Sequence, residues 1–281
     1  MAGDGASTSN SRGAGAPVAA RRVVEEVGAV ALFAVHRMGL FGVLFVESLF
    51  KYMLPPYALR PTLKQVHFIG ARSMLVVSVS GLFVGMVVAL QFHDTLVRFG
   101  SVSLLGSAVG LSLVRELGPV ITALMVIGRA GSAICAELAI MRSEEQIDAL
   151  ECMSIDPHKF LIAPRLLAGL ISLPLLTAVF VVVGVLGGWF VGVVLFGVGE
   201  GAYFEGMYET VLPRDLMMGL VKSVVFGALI AWIATAKGFF LHLERGGAFG
   251  SEGISRTTTS AVVISAIAVL FADYIVSALF L

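Results

Sequence analysis

Five long apolar stretches, each nearly free of charged side chains, constrain the fold of this chain more than any other feature. Their approximate bounds are 73–92, 104–127, 166–196, 216–240 and 259–281. A helix needs roughly 20 predominantly apolar residues to cross the hydrocarbon core of a bilayer. Only 14% of all residues are charged, whereas a soluble domain usually carries about 25%. The sequence therefore predicts an all-α integral membrane protein with about five transmembrane helices.

The region before the first of these stretches has a different pattern. Residues 1–20 are rich in Gly, Ala and Ser and contain no apolar run, so we expect a disordered tail and no cleavable signal peptide. Residues 21–56 are apolar but interrupted by charged side chains, and they end at Pro55 and Pro56. This pattern favours a helix at the membrane interface, and a sixth span is the alternative.

Basic side chains alternate between the loops that join the predicted spans. Lys and Arg are frequent before the first span, between the second and third, and between the fourth and fifth, whereas the other two loops hold only Arg98 and Arg214. Cytoplasmic loops of membrane proteins carry an excess of Lys and Arg. We therefore expect a cytoplasmic N-terminus and a C-terminus on the outer, periplasmic face.

Two adjacent charges, Arg115 and Glu116, lie inside the second predicted span. Each charge costs about 2.5–3.5 kcal/mol at the centre of a spanning helix on insertion scales, so such residues usually mark a pathway or a site. Neighbours on a helix point about 100° apart, which prevents an ideal pair between them. We predict that at least one faces a cavity, a ligand or another helix, and the alternative is a buried ion pair that only fixes packing. Pro119 is expected to kink the helix nearby.

Lys222 and Asp273 are the other charges inside predicted spans. At 1.5 Å per residue they lie about 9 and 12 Å from the outer ends of the fourth and fifth spans. These similar depths allow the two side chains to meet. We therefore predict a structural ion pair, Lys222 with Asp273, that joins the two helices.

A short amphipathic helix is predicted in the cytoplasmic loop between the second and third spans. Ser143 and Gln146 have the spacing of a capping box, which predicts a helix from Glu144 to Met153, ended by Asp156 before a proline. The polar surface of this helix consists of Glu144, Glu145, Gln146, Asp148 and Glu151. An acidic surface is poorly suited to the negative cytoplasmic leaflet, so we expect this helix to bind a soluble protein.

Several classes of function find no support in the sequence. The chain contains no P-loop for ATP and no HExxH zinc motif, and its net charge of zero gives no general attraction to nucleic acid. Ser132 lies in GRAGSA, which is not a nucleophile motif, and the two cysteines do not have metal-site spacing. We therefore expect no catalytic residue, metal or cofactor in this chain.

Small residues four apart, as at Gly81 and Gly85, predict close helix packing.

The residues from 112 to 165 resemble the core of the MlaE/YrbE family of ABC-transporter permeases. The similar motifs in that run are RELGP, GRAGSA, AEL, EQIDAL and DP. Further similar segments are SGLFVGMVVALQ in the first span, SLPLLT in the third, LVKSVVFG in the fourth and GISRTTTSAVV at the fifth. The resemblance covers about residue 61 to the C-terminus, which places a permease domain of this type at 57–281.

The resemblance implies a fold, a function and a set of partners. A permease of this family is a homodimer, with about five spans and an N-terminal interface helix in each chain. It works with two cytoplasmic ATPase subunits, which hold the ATP and Mg²⁺, often with a small STAS-domain protein, and with a periplasmic MCE-domain lipid carrier. The complex sits in the bacterial inner membrane and moves phospholipid between the inner and outer membranes.

The resemblance also assigns roles to particular residues. Arg115 and Glu116 match a charged pair that faces the lipid cavity, and Val88, Leu96 and Phe99 would help to line that cavity. The helix predicted between the second and third spans matches the coupling helix that contacts the ATPase. Our hypothesis is that Arg115 pairs with an anionic headgroup while Glu116 tunes or holds Arg115.

Two functions from other classes remain open. An ion-coupled secondary transporter would use Glu116, Lys222 and Asp273 as a proton relay. The hydropathy shows no inverted repeat, and only Pro119 and Pro174 hint at discontinuous helices, which argues against such a transporter. A scaffold that anchors cytoplasmic proteins without transport is the other alternative, and it predicts no bound lipid.

Overall fold

The computed structural model describes residues 28, 39–48, 50–51, 59–241 and 250–280. The predicted tail lies outside these residues, as does most of the predicted interface helix. The chain divides into two units, residues 1–44 and 45–281, with the boundary inside the first described helix. The predicted start of the permease domain at residue 57 stays a prediction.

The described regular structure is entirely helical, which confirms the predicted fold class. The helices are α1 (Gly39–Ser48), α2 (Leu59–Arg98), α3 (Val102–Ser143), α4 (Gln146–Cys152), α5 (His158–Leu195), α6 (Glu200–Thr210), α7 (Pro213–Phe239) and α8 (Ser251–Phe280). The five helices α2, α3, α5, α7 and α8 are long and apolar enough to cross a membrane. The described part of the apolar helix α1 is about 15 Å long, and the interface helix predicted over residues 21–56 stays a prediction.

Helix α3 is much longer than the second predicted span. It contains 42 residues, so the stretch from Gly128 to Ser143, predicted as a cytoplasmic loop segment, continues the helix instead. The charges that suggested an end to the span have partners in the protein. Arg129 Nη1 donates to the carbonyl oxygen of Phe68 at 2.9 Å, and Glu137 Oε2 lies 3.0 Å from Arg165 Nη2.

Wide π-helical turns occur at five places in the long helices, three inside a helix and two at the ends of α5. They are His67–Ala71 in α2, Leu113–Leu117 and Ile127–Gly131 in α3, and His158–Ile162 and Phe190–Leu195 in α5. Such turns frequently occur at functional sites, because they change the direction in which the following side chains point. The turn Leu113–Leu117 contains Arg115 and Glu116, the two adjacent charges of the second predicted span.

Glycine allows α2 and α5 to pack with their backbones in direct contact. A Cβ atom placed on Gly85 would lie 1.9 Å from the carbonyl oxygen of Gly184, and one placed on Gly81 would lie 2.9 Å from that of Phe180. Any side chain at Gly85 would therefore force the helices apart. The close packing predicted from the four-residue spacing is confirmed.

Helix α6 packs against the first part of α3 and runs in the same direction. A Cβ atom on Gly106 would lie 1.9 Å from the carbonyl oxygen of Tyr203, and one on Gly110 would lie 2.6 Å from Cγ of Met207. This region lies between the third and fourth apolar stretches of the sequence, where a loop was expected. Its polar residues, in GEGAYFEGMYET, form a helix because α3 presents glycines that let it approach.

Helix α7 continues along α3 in the same direction. A Cβ atom on Gly219 would lie 2.6 Å from the carbonyl oxygen of Val114, and one on Gly238 would lie 2.7 Å from that of Cys135. Helices α6 and α7 therefore form one path beside α3, broken at Val211 and Leu212, whose ψ angles of 100° and 157° are extended. The expectation that only Pro119 and Pro174 disturb the helices was wrong.

Candidate functional site

The break between α6 and α7 places the start of α7 beside the wide turn of α3 that carries Arg115. Leu212 precedes the helix, and Pro213 occupies its first turn, where its missing N–H costs nothing. The backbone N–H of Leu212 donates to Asp215 Oδ2 at 2.9 Å, so Asp215 caps the helix. Because one oxygen of this carboxylate binds the backbone, the other is free to face α3.

Arg115 and Asp215 form an ion pair across the two helices. Nε and Nη2 of Arg115 both donate to Asp215 Oδ1, at 2.8 and 2.6 Å. The Asp215 side chain is buried, with 2% of its surface exposed, whereas 42% of the Arg115 side chain is exposed. A guanidinium has five N–H donors, so three remain available after two bind Asp215. Arg115 is thus oriented by protein on one side and open on the other.

Lys222 joins three helices at a fully buried position. Its Nζ lies 2.5 Å from Glu116 Oε2 and 2.8 Å from Asp273 Oδ1, and none of its side-chain surface is exposed. It also donates to the carbonyl oxygen of Arg115 at 3.0 Å. Pro119, four residues later, has no N–H to offer that carbonyl group. The ammonium group therefore has three oxygens within 3.0 Å, two of which accept hydrogen bonds from it.

The structure brings Lys222 and Asp273 together as the sequence suggested, and it adds Glu116 to the group. Glu116 Oε1 accepts a hydrogen bond from Ser277 Oγ at 3.2 Å, so its two oxygens contact α7 and α8. Within the described chain Glu116 contacts Lys222 and Ser277 rather than Arg115, and the hypothesis that Glu116 tunes or holds Arg115 stays a prediction. The two side chains point in different directions along the helix surface, and each meets a different partner.

A cavity of about 200 Å³ opens beside these charges. Its lining residues are Arg115, Glu116, Leu212, Arg214, Asp215, Met218 and Phe280. It presents the half-exposed guanidinium of Arg115, the exposed guanidinium of Arg214 and the half-exposed carboxylate of Glu116. A second space, an apolar groove of about 290 Å³, lies between α5 and α7 and is lined by Val114 and Leu216, the neighbours of Arg115 and Asp215.

Three other predicted lining residues do not contact this cavity. Val88 and Leu96 belong to α2, and Phe99 follows the end of that helix with 77% of its surface exposed. The residues that line the cavity at Arg115 within one chain do not include them. Their assignment to a lipid cavity therefore stays a prediction.

Sequence reasoning missed Asp215. The signal was present in the run LPRD, since a proline at the first helical position and an acidic residue two positions later are typical of a helix start. The predicted span began at residue 216, so Asp215 was counted as part of the outer loop. Apolar periodicity alone could not place Arg115 and Asp215 at the same level of the bundle.

A helix is present between the second and third spans as predicted, but it begins later than expected, and its role in coupling stays a prediction. Ser143 is the last residue of α3, Glu145 has a left-handed φ of 57°, and α4 starts at Gln146. The predicted capping box was wrong, because Gln146 Nε2 donates to Glu144 Oε2 at 2.6 Å. Ile147 anchors α4 to the bundle as a fully buried side chain.

The polar surface predicted around α4 is exposed. Its members are Glu144, Glu145, Gln146, Asp148 and Glu151. Arg142 Nη1 lies 2.6 Å from Asp148 Oδ1 and so neutralises one carboxylate. Met153, just beyond the helix, is 62% exposed. An exposed acidic patch beside an exposed apolar side chain is suited to contact with another protein.

Comparisons with known proteins place this chain among transporter subunits. The family model described as Permease MlaE matches residues 62–279. The intermembrane phospholipid transport system permease protein MlaE of Haemophilus influenzae is 43% identical over 217 residues, which cover 77% of this chain and 81% of the relative. A probable ABC transporter permease protein of Rickettsia felis is 38% identical over 258 residues, covering 92% and 97%. The chloroplast protein TRIGALACTOSYLDIACYLGLYCEROL 1 of Arabidopsis thaliana is 35% identical over 221 residues, covering 79% and 61%.

Proposed function

Since this chain belongs to the MlaE permease family, we propose that it is the membrane-spanning subunit of an ABC transporter that moves phospholipid between the inner and outer membranes. A relative at 43% identity is named for intermembrane phospholipid transport. The five long apolar helices agree with a multi-pass permease. We place the chain in the bacterial inner membrane, with its N-terminus cytoplasmic and its C-terminus periplasmic.

The partly engaged guanidinium of Arg115 is the single observation that carries the proposal. Its three remaining N–H donors can bind the phosphate of a lipid, since arginine pairs with phosphate through short, charge-assisted hydrogen bonds. The apolar groove lined by Val114 and Leu216 lies close enough to receive part of an acyl chain. Each methylene buried there contributes about 0.8 kcal/mol.

The cavity suits a headgroup that carries both charges. Arg115 and Arg214 offer cations to the phosphate, and Glu116, 46% exposed, offers a carboxylate to an amine. A zwitterionic headgroup with a primary amine, such as that of phosphatidylethanolamine, would satisfy both. Arg214 also donates to the carbonyl oxygen of Phe280, which ties the end of α8 to this cavity.

The exposure of Arg115 and Glu116 supports a homodimer. A charge that faces lipid at the centre of a spanning helix costs about 2.5–3.5 kcal/mol, so intramembrane charges face a protein interior or a water-filled cavity. Within one chain, 42% and 46% of these two side chains are exposed. We propose that a second copy covers this side and closes the lipid chamber.

The remaining partners follow from the two ends of the molecule. We propose that α4 and the exposed acidic residues around it contact the cytoplasmic ATPase subunits, which hold the ATP and Mg²⁺. A STAS-domain protein is expected beside the ATPase, and an MCE-domain carrier is expected over the outer face to exchange lipid with the chamber. ATP-driven movement at α4 would then reach Arg115 through α3, which leads directly into α4.

The proposed site can be tested with conservative charge removal. We expect Arg115→Gln to lower the phospholipid that copurifies with the transporter complex by at least several-fold, and to impair the outer-membrane barrier in cells. Arg98→Gln is the matched control, because its partner Asp94 is exposed like Arg98 itself, at 70% and 74%. If Arg115→Gln retains as much lipid as Arg98→Gln, Arg115 does not hold the headgroup.

The broken path of α6 and α7 favours a second candidate, the ion-coupled secondary transporter. Discontinuous helices at a charged site are typical of such transporters, and Glu116, Lys222 and Asp273 are in direct contact. This candidate predicts that the chain alone, in proteoliposomes under a proton gradient, transports its substrate. The ABC permease predicts transport only when the ATPase and ATP are added.

A further inference from the structure

Three basic side chains converge at the end of the bundle away from Arg115. Lys64 and Arg72 lie on α2 and Arg129 lies on α3. The guanidinium carbons of Arg72 and Arg129 lie 5.6 and 5.4 Å from the ring centroid of Phe68. Arg129 is 14 residues beyond Arg115 in α3, a separation of about 21 Å along the helix. This basic cluster is therefore distinct from the site at Arg115.

No carboxylate of the described residues neutralises the cluster. Arg129 donates hydrogen bonds to neutral groups only, the carbonyl oxygen of Phe68 at 2.9 Å and Ser73 Oγ at 2.8 Å, among the described residues. The one acidic residue beside the cluster, Glu137, pairs with Arg165 at 3.0 Å. Lys64 and Arg72 are exposed, and like charges held close together repel each other unless an anion joins them. The cluster is thus organised to receive an anion.

The space for that anion is a cavity of about 450 Å³ between α2 and α3. Its lining residues are Lys64, Gln65, His67, Phe68, Arg72, Ala133 and Glu137. The Oε1 atom of Gln65 is buried and has no hydrogen-bond partner among the described residues. Buried polar atoms normally have partners, so this amide oxygen can accept a hydrogen bond from a hydroxyl group of the ligand, such as those of a glycerol headgroup.

An apolar groove begins where the basic cavity ends. It has a volume of about 380 Å³ and lies between α2 and α5. Its lining residues are Leu63, Val66, His67, Gly70, Ala71, Met74, Ser172, Leu175, Leu176 and Val179. His67 lines both the cavity and the groove. A ligand that fills both must carry an anionic head and an apolar tail.

We propose that this region binds one anionic phospholipid of the adjoining leaflet, with its phosphate on Lys64 and Arg72 and an acyl chain in the groove. Basic pockets between spanning helices on the cytoplasmic side are known to bind anionic lipid headgroups. The wide turn His67–Ala71 creates the arrangement, because it lies between the two cations and turns α2 so that His67 reaches both spaces.

Binding can be measured with the full-length protein in phosphatidylcholine nanodiscs that contain increasing amounts of phosphatidylglycerol. Native mass spectrometry counts the phosphatidylglycerol molecules retained per chain. We expect Lys64→Gln with Arg72→Gln to weaken retention at least tenfold, and each single variant to have a smaller effect. The matched control removes two exposed cations, Arg98→Gln with Arg256→Gln, each of which pairs only with a neighbour on its own helix.

A variant in the apolar groove distinguishes the binding of a lipid from the binding of a simple anion. A Cβ atom on Gly70 would meet only the Ser172 side chain, at 3.6 Å or more, so a side chain can start here without meeting backbone, and Gly70→Leu would occupy the groove that Gly70 lines. We expect Gly70→Leu to weaken retention of phosphatidylglycerol while inorganic phosphate fails to displace it. Equal retention by the Lys64 and Arg72 double variant and its control overturns the proposal. Displacement by millimolar phosphate, with no effect of Gly70→Leu, also overturns it by indicating a free-anion site.

Discussion

Asp215 sets the direction in which Arg115 can act. Its carboxylate is buried, holds two guanidinium donors on one oxygen and caps α7 with the other. A lysine in place of Arg115 has three donors on a rotatable ammonium group, and it lacks the rigid planar fork that binds Asp215 and a phosphate in fixed directions. Whatever binds at Arg115 therefore depends on a residue that does not itself need to touch the ligand.

Replacing Asp215 by Asn is expected to loosen Arg115 and weaken the cap of α7. The loss of a hydrogen-bonded charge pair is expected to lower the free energy of unfolding by about 1–3 kcal/mol, measured by thermal unfolding in detergent. Lipid retention should fall with it. Asp94→Asn breaks a similar but exposed pair and should cost at most about 1 kcal/mol. An Asp215→Asn chain as stable and as lipid-rich as Asp94→Asn would contradict this role.

Lys222 holds the negative charges of Glu116 and Asp273 together, so its loss should be more severe. Lys222→Met is expected to destabilise the protein by about 3–5 kcal/mol, because it removes a fully buried ammonium group and leaves the carboxylates of Glu116 and Asp273 facing each other without a cation. Adding Asp273→Asn should restore part of the thermal stability. If the double variant is less stable than Lys222→Met alone, the loss does not come from unpaired charge.

The contact between α2 and α5 depends on Gly85 having no side chain. Gly85→Ala places a methyl group 1.9 Å from the Gly184 carbonyl oxygen, so we expect overpacking to cost about 1–3 kcal/mol in a thermal unfolding experiment. Gly201→Ala in α6 meets nothing within 4 Å. It should be neutral or stabilise by up to about 1 kcal/mol, because alanine favours the helix. Equal melting temperatures for the two variants would refute the close contact.

Lys51 links α1 to the start of α5 through a pH-dependent ion pair. Its Nζ lies 2.5 Å from Asp156 Oδ2 and 2.6 Å from Glu47 Oε1. Partial burial alone would raise the pKa of Asp156, but its bonds to Lys51 and to the backbone of His158 outweigh burial and lower it. Burial alone would lower the pKa of Lys51. The hydrogen bonds and negative charges of Asp156 and Glu47 outweigh burial, so the pKa of Lys51 is raised.

These shifts fix the pH range in which the pair stabilises the protein. The contribution of Asp156 is present above the unfolded pKa of about 3.9 and is lost as pH falls through its lower folded pKa. The contribution of Lys51 is present below about pH 10.4 and is lost as pH rises through its higher folded pKa. Asp156→Asn should therefore lower the melting temperature at pH 7, and the difference should shrink below about pH 4. A difference that stays constant down to pH 3 would contradict the pairing.

The five spanning helices could be predicted because their apolar length is a strong signal. The full length of α3 could not, since Arg129 and Glu137 appear as unpaired charges until their partners in other elements are known. The break between α6 and α7 was also beyond prediction. Helix α6 is polar in sequence and is stabilised by tertiary contact with glycines of α3.

The candidate site was only partly predictable for the same reason. Arg115, Glu116, Lys222 and Asp273 stand out because charges inside spans are costly. Their pairing depends on how three helices are placed side by side, which the sequence does not state. Asp215 lies at a helix start outside the predicted span, so its charge does not stand out in the sequence. Its contact with Arg115 is evident only in the folded chain.

At the scale of the whole molecule, the exposed sides of Arg115 and Glu116 predict that a single copy is incomplete. Native mass spectrometry of the gently purified complex is expected to show two copies of this chain with two ATPase subunits. A cysteine placed at Tyr274, which is 73% exposed on α8, would report whether α8 meets its counterpart by disulfide crosslinking. A complex with one copy of this chain per ATPase pair would overturn the paired arrangement.

The five wide turns have a consequence for how such chains diverge. A π turn holds one residue more than an α turn, so deleting that residue returns a regular helix and rotates everything beyond it by about 100°. Single-residue gaps in an alignment of relatives should therefore gather at these turns. A single-residue insertion or deletion at Leu113–Leu117 would change the directions in which Arg115 and Glu116 point on the helix surface.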